Sequence, residues 1–371
     1  MRRLLAIAAL ILGVSSCINS VGPAPLRPSS AALDEAFSIS SGTSFATLVG
    51  AKFGGVSGLA FDAASGELLG VSDDRDNSRV FRLRFEDHPL QVEPIGLIAL
   101  SGSPVKLDCE GIVLLPNGHL LISSEGVQNE DPRQPPGILE FTHDGAFVRM
   151  LNLRERYVPP ASGPITRGVR SNSSFESLAL TPDGRTLFTG TETALAQDGD
   201  AANFEHGALS RILEYRREGE TFVPGREWLY ELDPIARPDF TPDFSVTGLV
   251  ELVASSDREL LALERSYAQE AGERGRELNR IRLYRVSLDG ATDVSAFDSI
   301  AGRADLRPVS KQLLLDLGKA PGLPPSLAAL DNFEGLALLP PLHDGRRPLI
   351  VVSDDNFSNR QRTWFVRLMI R

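Results

Sequence analysis

CEGIVLLPNGHLLISSE (109–125) carries the pattern on which the rest of the chain is built. An acidic residue and a glycine open it. An apolar strand follows, then the turn Pro116-Asn117-Gly118, then a second apolar strand that closes on Glu125. Proline pre-sets the backbone for a tight turn and glycine takes the left-handed conformation at its end, so the segment predicts a β-hairpin. The pattern recurs in VSGLAF…ELLGVSDD (56–74), FESLALTPDGRTLFTGTE (175–192), TGLVELVASSDRELLALE (247–264) and FEGLALLPPLHDGRRPLIVVSDD (333–355). In the third copy the turn is Pro182-Asp183-Gly184, the same chemistry.

Two further strand-like runs follow most hairpins. SRVFRLRF (78–85) and EPIGLIAL (93–100) follow the first, GILEFTHDG (137–145) and FVRMLNL (147–153) the second. SRILEYRRE (210–218) and REWLYEL (226–232) follow the third, NRIRLYRVSL (279–288) and SKQLLLDL (310–317) the fourth. After the fifth hairpin only TWFVRLMI (363–370) remains. Four antiparallel strands repeated at intervals of more than about forty residues predict a β-propeller. The fold class is therefore all-β, with five four-stranded blades; the long stretch 265–332 leaves room for a sixth. The fifth blade lacks a strand, and an N-terminal strand around Phe37 to Val49 is expected to supply it and close the ring.

A propeller's innermost strand runs from one face to the other and the next strand returns. The start of the first and the end of the second therefore share one end of the axial channel. Glu110, Glu176 and Glu334 open first strands; Asp73, Asp74, Glu125, Glu192, Glu264, Asp354 and Asp355 close second strands. All are expected to crowd one channel mouth. Carboxylates packed so closely repel and lose solvation. Protonation, pairing with Arg or Lys, or a hard oxygen-seeking cation would compensate. With no Cys pair or His cluster nearby, the donor set favours Ca²⁺ or Mg²⁺ over zinc. Acidic residues that merely satisfy strand-end backbone groups are the structural alternative. The long loops on the same face carry Arg75, Lys106, Arg133, Arg167, Arg170, Arg265, Arg360 and Arg362, suited to an anionic substrate or to pairing with the carboxylates.

The N-terminus reads as a targeting segment. Met1-Arg2-Arg3 is basic, and Leu4 to Val14 is an apolar run too short to span a bilayer. Val14-Ser15-Ser16-Cys17 resembles a bacterial lipoprotein signal with Cys17 as the lipidated residue; an ordinary secretory signal is the other reading. Either puts the mature protein outside the cytoplasm. Ile18 after the cysteine favours the outer membrane, by analogy with Gram-negative lipoproteins. The expected division is a signal over 1–16, a lipidated cysteine and flexible tether over 17–36, and one propeller domain over 37–371. Cys109 is then the only other thiol, so no internal disulfide staples the fold. The 38 basic and 49 acidic residues leave a net charge of −11, which argues against a nucleic-acid partner.

The [C/F]-E-[G/S]-[L/I] starts, the S-D-D ends and the closing SDDNF (353–357) with TWF (363–365) resemble a bacterial family known as phytase-like, or "esterase-like activity of phytase". The resemblance covers about residues 50–371. It implies a secreted or lipid-anchored propeller that hydrolyses phosphoesters with calcium. The match carries Glu110, Glu176, Glu334, Asp354 and Asp355 onto the family's acidic positions. Joined to the reading of the channel mouth, Asp73, Asp74, Glu110, Glu125, Glu192, Glu264, Asp354 and Asp355 are expected to hold metal, Glu176 or Glu334 to be the base, and Arg167, Arg170 and Arg265 to hold a small anionic substrate. The lipid anchor is the only membrane contact expected. A non-catalytic envelope-binding propeller and a calcium-dependent lactonase or sugar-ester hydrolase are the alternatives.

Overall fold

A computed structural model describes residues 27–272 and 275–371. The targeting segment and Cys17 lie outside the described residues. The first strand, β1 (Ala31–Ser40), is set apart from the blades that follow it in the chain. Blade I is β2 (Val56–Asp62), β3 (Glu67–Ser72), β4 (Arg79–Asp87) and β5 (Leu90–Ala99). Blade II is β6 (Cys109–Leu114), β7 (Leu120–Ser124), β8 (Gly137–Phe141) and β9 (Phe147–Met150). Blade III is β10 (Ala179–Leu180), β11 (Thr186–Gly190), β12 (Leu209–Glu218) and β13 (Thr221–Glu231). Blade IV is β14 (Phe244–Ala254), β15 (Glu259–Gln269), β16 (Glu277–Ser287) and β17 (Ser310–Asp316). Blade V is β18 (Asn332–Leu338), β19 (Arg347–Asp354) and β20 (Arg362–Ile370), completed by β1. The five sheets make a five-bladed propeller, and the stretch 265–332 holds no sixth blade among its described residues.

The N-terminal strand closes the ring as expected, in a different register from the one the sequence suggests. It pairs antiparallel with β20 from Ala31↔Ile370 to Ser40↔Arg362. It therefore begins six residues before Phe37, inside the segment expected to be tether. Residues 41–49 leave the sheet in a turn and a short 3-10 helix at Ala46–Leu48. The physical reason is Arg367 of β20, which is fully buried and pairs with Asp34 and Glu35 of β1 and Asp87 of blade I. That ionic contact fixes β1 over 31–40 in preference to the more apolar run beyond it.

Hairpin chemistry holds where it was expected: Gly118 and Gly184 close their turns at φ 83° and 68°. The glycines near the starts of the inner strands, Gly58, Gly111, Gly248 and Gly335, have a different task. A Cβ on Gly58 would stand 2.2 Å from the Glu110 carbonyl oxygen, and one on Gly111 would stand 2.6 Å from the Leu178 nitrogen. The inner strands of neighbouring blades approach that closely around the axis. The core is divided among the inter-blade spaces, as in the cluster Val250, Leu261, Leu336, Leu349 and Val366 between blades IV and V.

The inner strands bulge where their acids stand. The ladder skips between Val56 and Gly58, between Cys109 and Ile112, and between Phe333 and Gly335. Glu110 and Glu334 are thus left out of regular pairing at the point where their side chains meet the channel. Bulges re-aim side chains in this way next to functional sites. In blade IV, where Thr247 replaces the acid, the ladder skips later, between Leu249 and Glu251.

Candidate active site at the acidic end of the channel

The inner-strand starts and second-strand ends enclose a cavity of about 500 Å³ at one end of the axis. Nine carboxylates line it: Asp73, Asp108, Glu110, Glu125, Glu176, Glu192, Glu277, Glu334 and Asp354. Three arginines line it with them, Arg75, Arg265 and Arg360, which leaves a formal excess of six negative charges. Each arginine is engaged by a carboxylate. Arg75 pairs with Asp108, Arg360 with Glu277 at 3.2 Å, and Arg265 with Glu334 at 3.2 Å and Glu192 at 3.8 Å.

Burial and mutual repulsion raise the proton affinity of these groups. Glu110 and Glu176 are pushed well above the usual carboxylate range, first by burial and then by neighbouring carboxylates, Glu176 for Glu110 and Glu125 for Glu176. Asp354 is likewise raised, by burial and then by Asp73. Glu125 is pushed up to about 8, by burial and then by Glu192, against the opposing Ser174 N–H that it accepts at 2.6 Å. Asp73 is pushed up to about 7, by burial and then by Glu334.

Strand alternation decides which predicted residues reach the cavity, because successive side chains point to opposite faces. Of the two Ser-Asp-Asp ends, the first acid of each, Asp73 and Asp354, lines the cavity and the second does not. Asp74 turns outward to Arg79 at 2.6 Å. Asp355 accepts the Gly55 N–H at 2.9 Å and the Phe357 N–H at 3.1 Å, tying blade V to blade I. Glu264 faces blade III, where the Tyr230 hydroxyl donates to it at 2.7 Å, and Lys311 of its own blade pairs with it. The next residue, Arg265, faces the cavity instead. Asp74, Glu264 and Asp355 therefore do not stand in the cavity wall, contrary to the sequence expectation.

The expected substrate arginines divide in the same way. Arg265 is in the cavity. Arg167 pairs at 2.6 Å with Glu155 outside it, and both side chains are exposed. Arg170 donates to the carbonyls of Ala194 at 3.0 Å and Gly199 at 2.6 Å, holding a loop in place. Neither Arg167 nor Arg170 lines the cavity.

Sequence reasoning missed Asp108 and Asn332. Each stands two residues before an inner-strand glutamate, Glu110 and Glu334, the spacing that puts two side chains on one face of a strand. That spacing was available as a signal. Asp108, Glu110 and Glu125 each bring a carboxylate oxygen within 4.8 Å of the other two. Asn332 donates through Nδ2 to Glu334 at 2.8 Å, and its Oδ1 is buried with no hydrogen-bond partner among the described residues. An all-oxygen donor set, with a buried oxygen left unmet, suits a hard cation such as Ca²⁺. At the rim Phe244, which is 55% exposed, packs against Tyr267 with ring centroids 6.2 Å apart.

The family profile described as "Phytase-like: Esterase-like activity of phytase" matches residues 51–357. A curated relative described as an uncharacterized secreted protein of Arthroderma benhamiae is 24% identical over 158 residues, which are 37% of this chain and 29% of that protein. The chain thus spans under a third of that relative's length. Among solved structures, the catalytic domain of an α-L-arabinofuranosidase from Coprinopsis cinerea aligns at a TM-score of 0.40 with 9% identity, over 93% of this chain and 98% of that one. A mannose phosphorylase from Leishmania mexicana aligns at a TM-score of 0.35 with 10% identity, over 85% and 82%.

Proposed function

This chain belongs to the phytase-like family, and from that footing we propose that it is a cation-dependent hydrolase of small phosphoesters, working at the acidic end of its channel. The observation that carries the reading is the charge balance of the cavity: nine carboxylates against three arginines that are already engaged. A phosphoester cannot enter a field of that sign unaided, since like charges at these distances repel by about 1–4 kcal/mol per pair at protein-surface dielectric. A bound divalent cation would lower that excess and give the phosphoryl oxygens a positive partner.

Asp108, Glu110 and Glu125 are the residues that would hold Ca²⁺. When bound, the ion would neutralise and polarise the phosphoryl oxygens and acidify a coordinated water. The chain's own groups do the rest. Glu176 serves as general base: it lines the cavity and is buried, and burial together with the Glu125 and Glu192 carboxylates raises its proton affinity. Glu334 is the weaker candidate because Arg265 and Asn332 already engage it. Arg265 keeps the charge of Glu334 and Glu192 in place, and Arg75 and Arg360 stand at the cavity wall to orient an anionic group. The Phe244–Tyr267 pair offers a flat apolar face for the substrate's ring or chain.

The relative's description as secreted accords with an extracytoplasmic setting, and Cys17 is the proposed point of lipid attachment at the outer membrane. No helix among the described residues is long and apolar enough to cross a membrane. Strand β1 begins at the hairpin-turn end of the ring, where Ala31 pairs with Ile370 and Ile370 with Arg347.

Turnover of a phosphomonoester panel, with and without chelator, tests the reading. Activity lost in chelator and restored by CaCl₂ is expected. A protein that turns over no phosphoester with Ca²⁺ present, or that works equally well in chelator, overturns it.

A further inference from the structure

The opposite end of the axis is apolar. Where the inner strands finish, a cavity of about 960 Å³ opens among the hairpin turns. Each blade contributes a half-buried apolar side chain near the end of its inner strand: Phe61, Leu114, Leu180, Val253 and Leu338. Asp62, an acid in the lining, is taken by the Ala64 N–H at 2.9 Å and the Ser65 hydroxyl at 2.6 Å. Arg347 also lines the cavity, and its guanidinium has no ion-pair or hydrogen-bond partner among the described residues. Five apolar side chains converging on one opening form a patch of the kind that a partner segment covers.

The chain itself leads there. Before β1, the Ser29 N–H donates to the Arg371 carbonyl at 2.7 Å, and Arg27 Nε lies 3.7 Å from Glu259 Oε1. Glu259 opens β15, across a tight turn from Ala254, which lines the cavity. Between Ala31 and Arg27 the chain therefore passes from the outermost strand of blade V to the second strand of blade IV. The inner strand β14 is one strand spacing further in, about 4.8 Å. Two extended residues cover that step at about 3.3 Å each. The residues immediately upstream, Ile-Asn-Ser-Val-Gly-Pro-Ala-Pro-Leu (18–26), carry no charged side chain. Two of them are prolines, which offer a carbonyl and no N–H, so the segment is richer in acceptors than in donors. That suits a free guanidinium beside an apolar wall. We propose that residues 18–26 fold into this apolar mouth and cover it. The acidic mouth is then the open end of the channel, and Cys17 stands next to the covered end. The proposal is independent of the reaction assigned to the acidic site.

Photocrosslinking of the full chain tests the proposal. The photoreactive residue p-benzoylphenylalanine replaces Ala64 or, separately, Pro340, exposed positions on the rim of the mouth in blades I and V. At both positions the expected product has the mass of a single chain, and its digest joins the labelled turn to residues 18–26. Val21→Asp together with Leu26→Asp should cut that product by about tenfold or more, because it charges two side chains that the mouth would bury. Both substitutions lie outside the five sheets, so the unfolding transition should stay unchanged. Capture of a second copy at dimer mass, of an acyl chain, of residues 4–14 or of solvent alone overturns the proposal. So does a product that the double variant leaves undiminished. If one label disturbs its hairpin, the label in the other blade decides.

Discussion

Burial and the neighbouring Glu125 and Glu192 carboxylates push Glu176 well above the usual carboxylate range. Glu176→Gln keeps the shape and removes the proton exchange. Turnover should fall by about 10²–10⁴-fold with the unfolding transition unchanged, as for loss of a general base. Arg167→Ala should leave turnover unchanged, because Arg167 pairs with Glu155 on the surface and never reaches the cavity. Steady-state kinetics on the two variants, with circular dichroism as the folding check, decide the matter; equal losses in both would remove the assignment. At this scale the sequence revealed the acids at strand ends but not their partners. Glu264 and Arg265 are adjacent, and only the positions of Tyr230 in the neighbouring blade and of Lys311 on the outer strand of the same blade show which of the two faces inward.

The recurring element is the bulged inner strand with a glycine behind its acid. The glycine lets neighbouring inner strands meet at the axis, and the bulge frees the acid from the ladder. Gly111→Ala would drive a methyl group to 2.6 Å from the Leu178 nitrogen, where backbone cannot yield as a side chain would. Overpacking of this kind costs about 1–3 kcal/mol, so the urea midpoint should fall by a corresponding amount at unchanged slope. An unaltered midpoint would mean that the inner strands are looser than described. Blade IV departs from the pattern and uses its bulge differently. Glu251 is buried there and accepts backbone N–H groups from Leu252 at 2.9 Å and from Leu178 of blade III at 3.2 Å. The hairpins and the glycines were legible as a repeat. The bulges were not, because they depend on how each inner strand meets its neighbour across the axis.

For the whole molecule, the acidic mouth couples stability to pH. Glu125 is raised to about 8 and Asp73 to about 7 in the folded chain, against about 4 for unfolded carboxylates. Between those values the folded state binds more protons than the unfolded one. The stability these groups contribute is fully present below pH ~4 and is lost as pH rises through the folded values. In chelator, Tm should therefore drop between about pH 5 and pH 8, and saturating CaCl₂ should flatten the drop by taking the place of the protons. A Tm that rises over this range in chelator would contradict the picture. By itself the sequence determined the repeat with its five hairpins, the closure by an N-terminal strand and the end of the channel where acids gather; the structure excluded a sixth blade among the described residues. Those follow from period-two patterning, turn residues and the rule that a hairpin returns to its starting face, all local in the chain. Only the tertiary structure decided which acid of each pair faces the axis, that Arg167 and Arg170 serve loops, that Asp108 and Asn332 belong to the cavity, and that β1 pairs over 31–40. Each depends on contacts between blades far apart in sequence, such as Arg367 with Asp34 and Arg75 with Asp108, and no local pattern encodes those contacts.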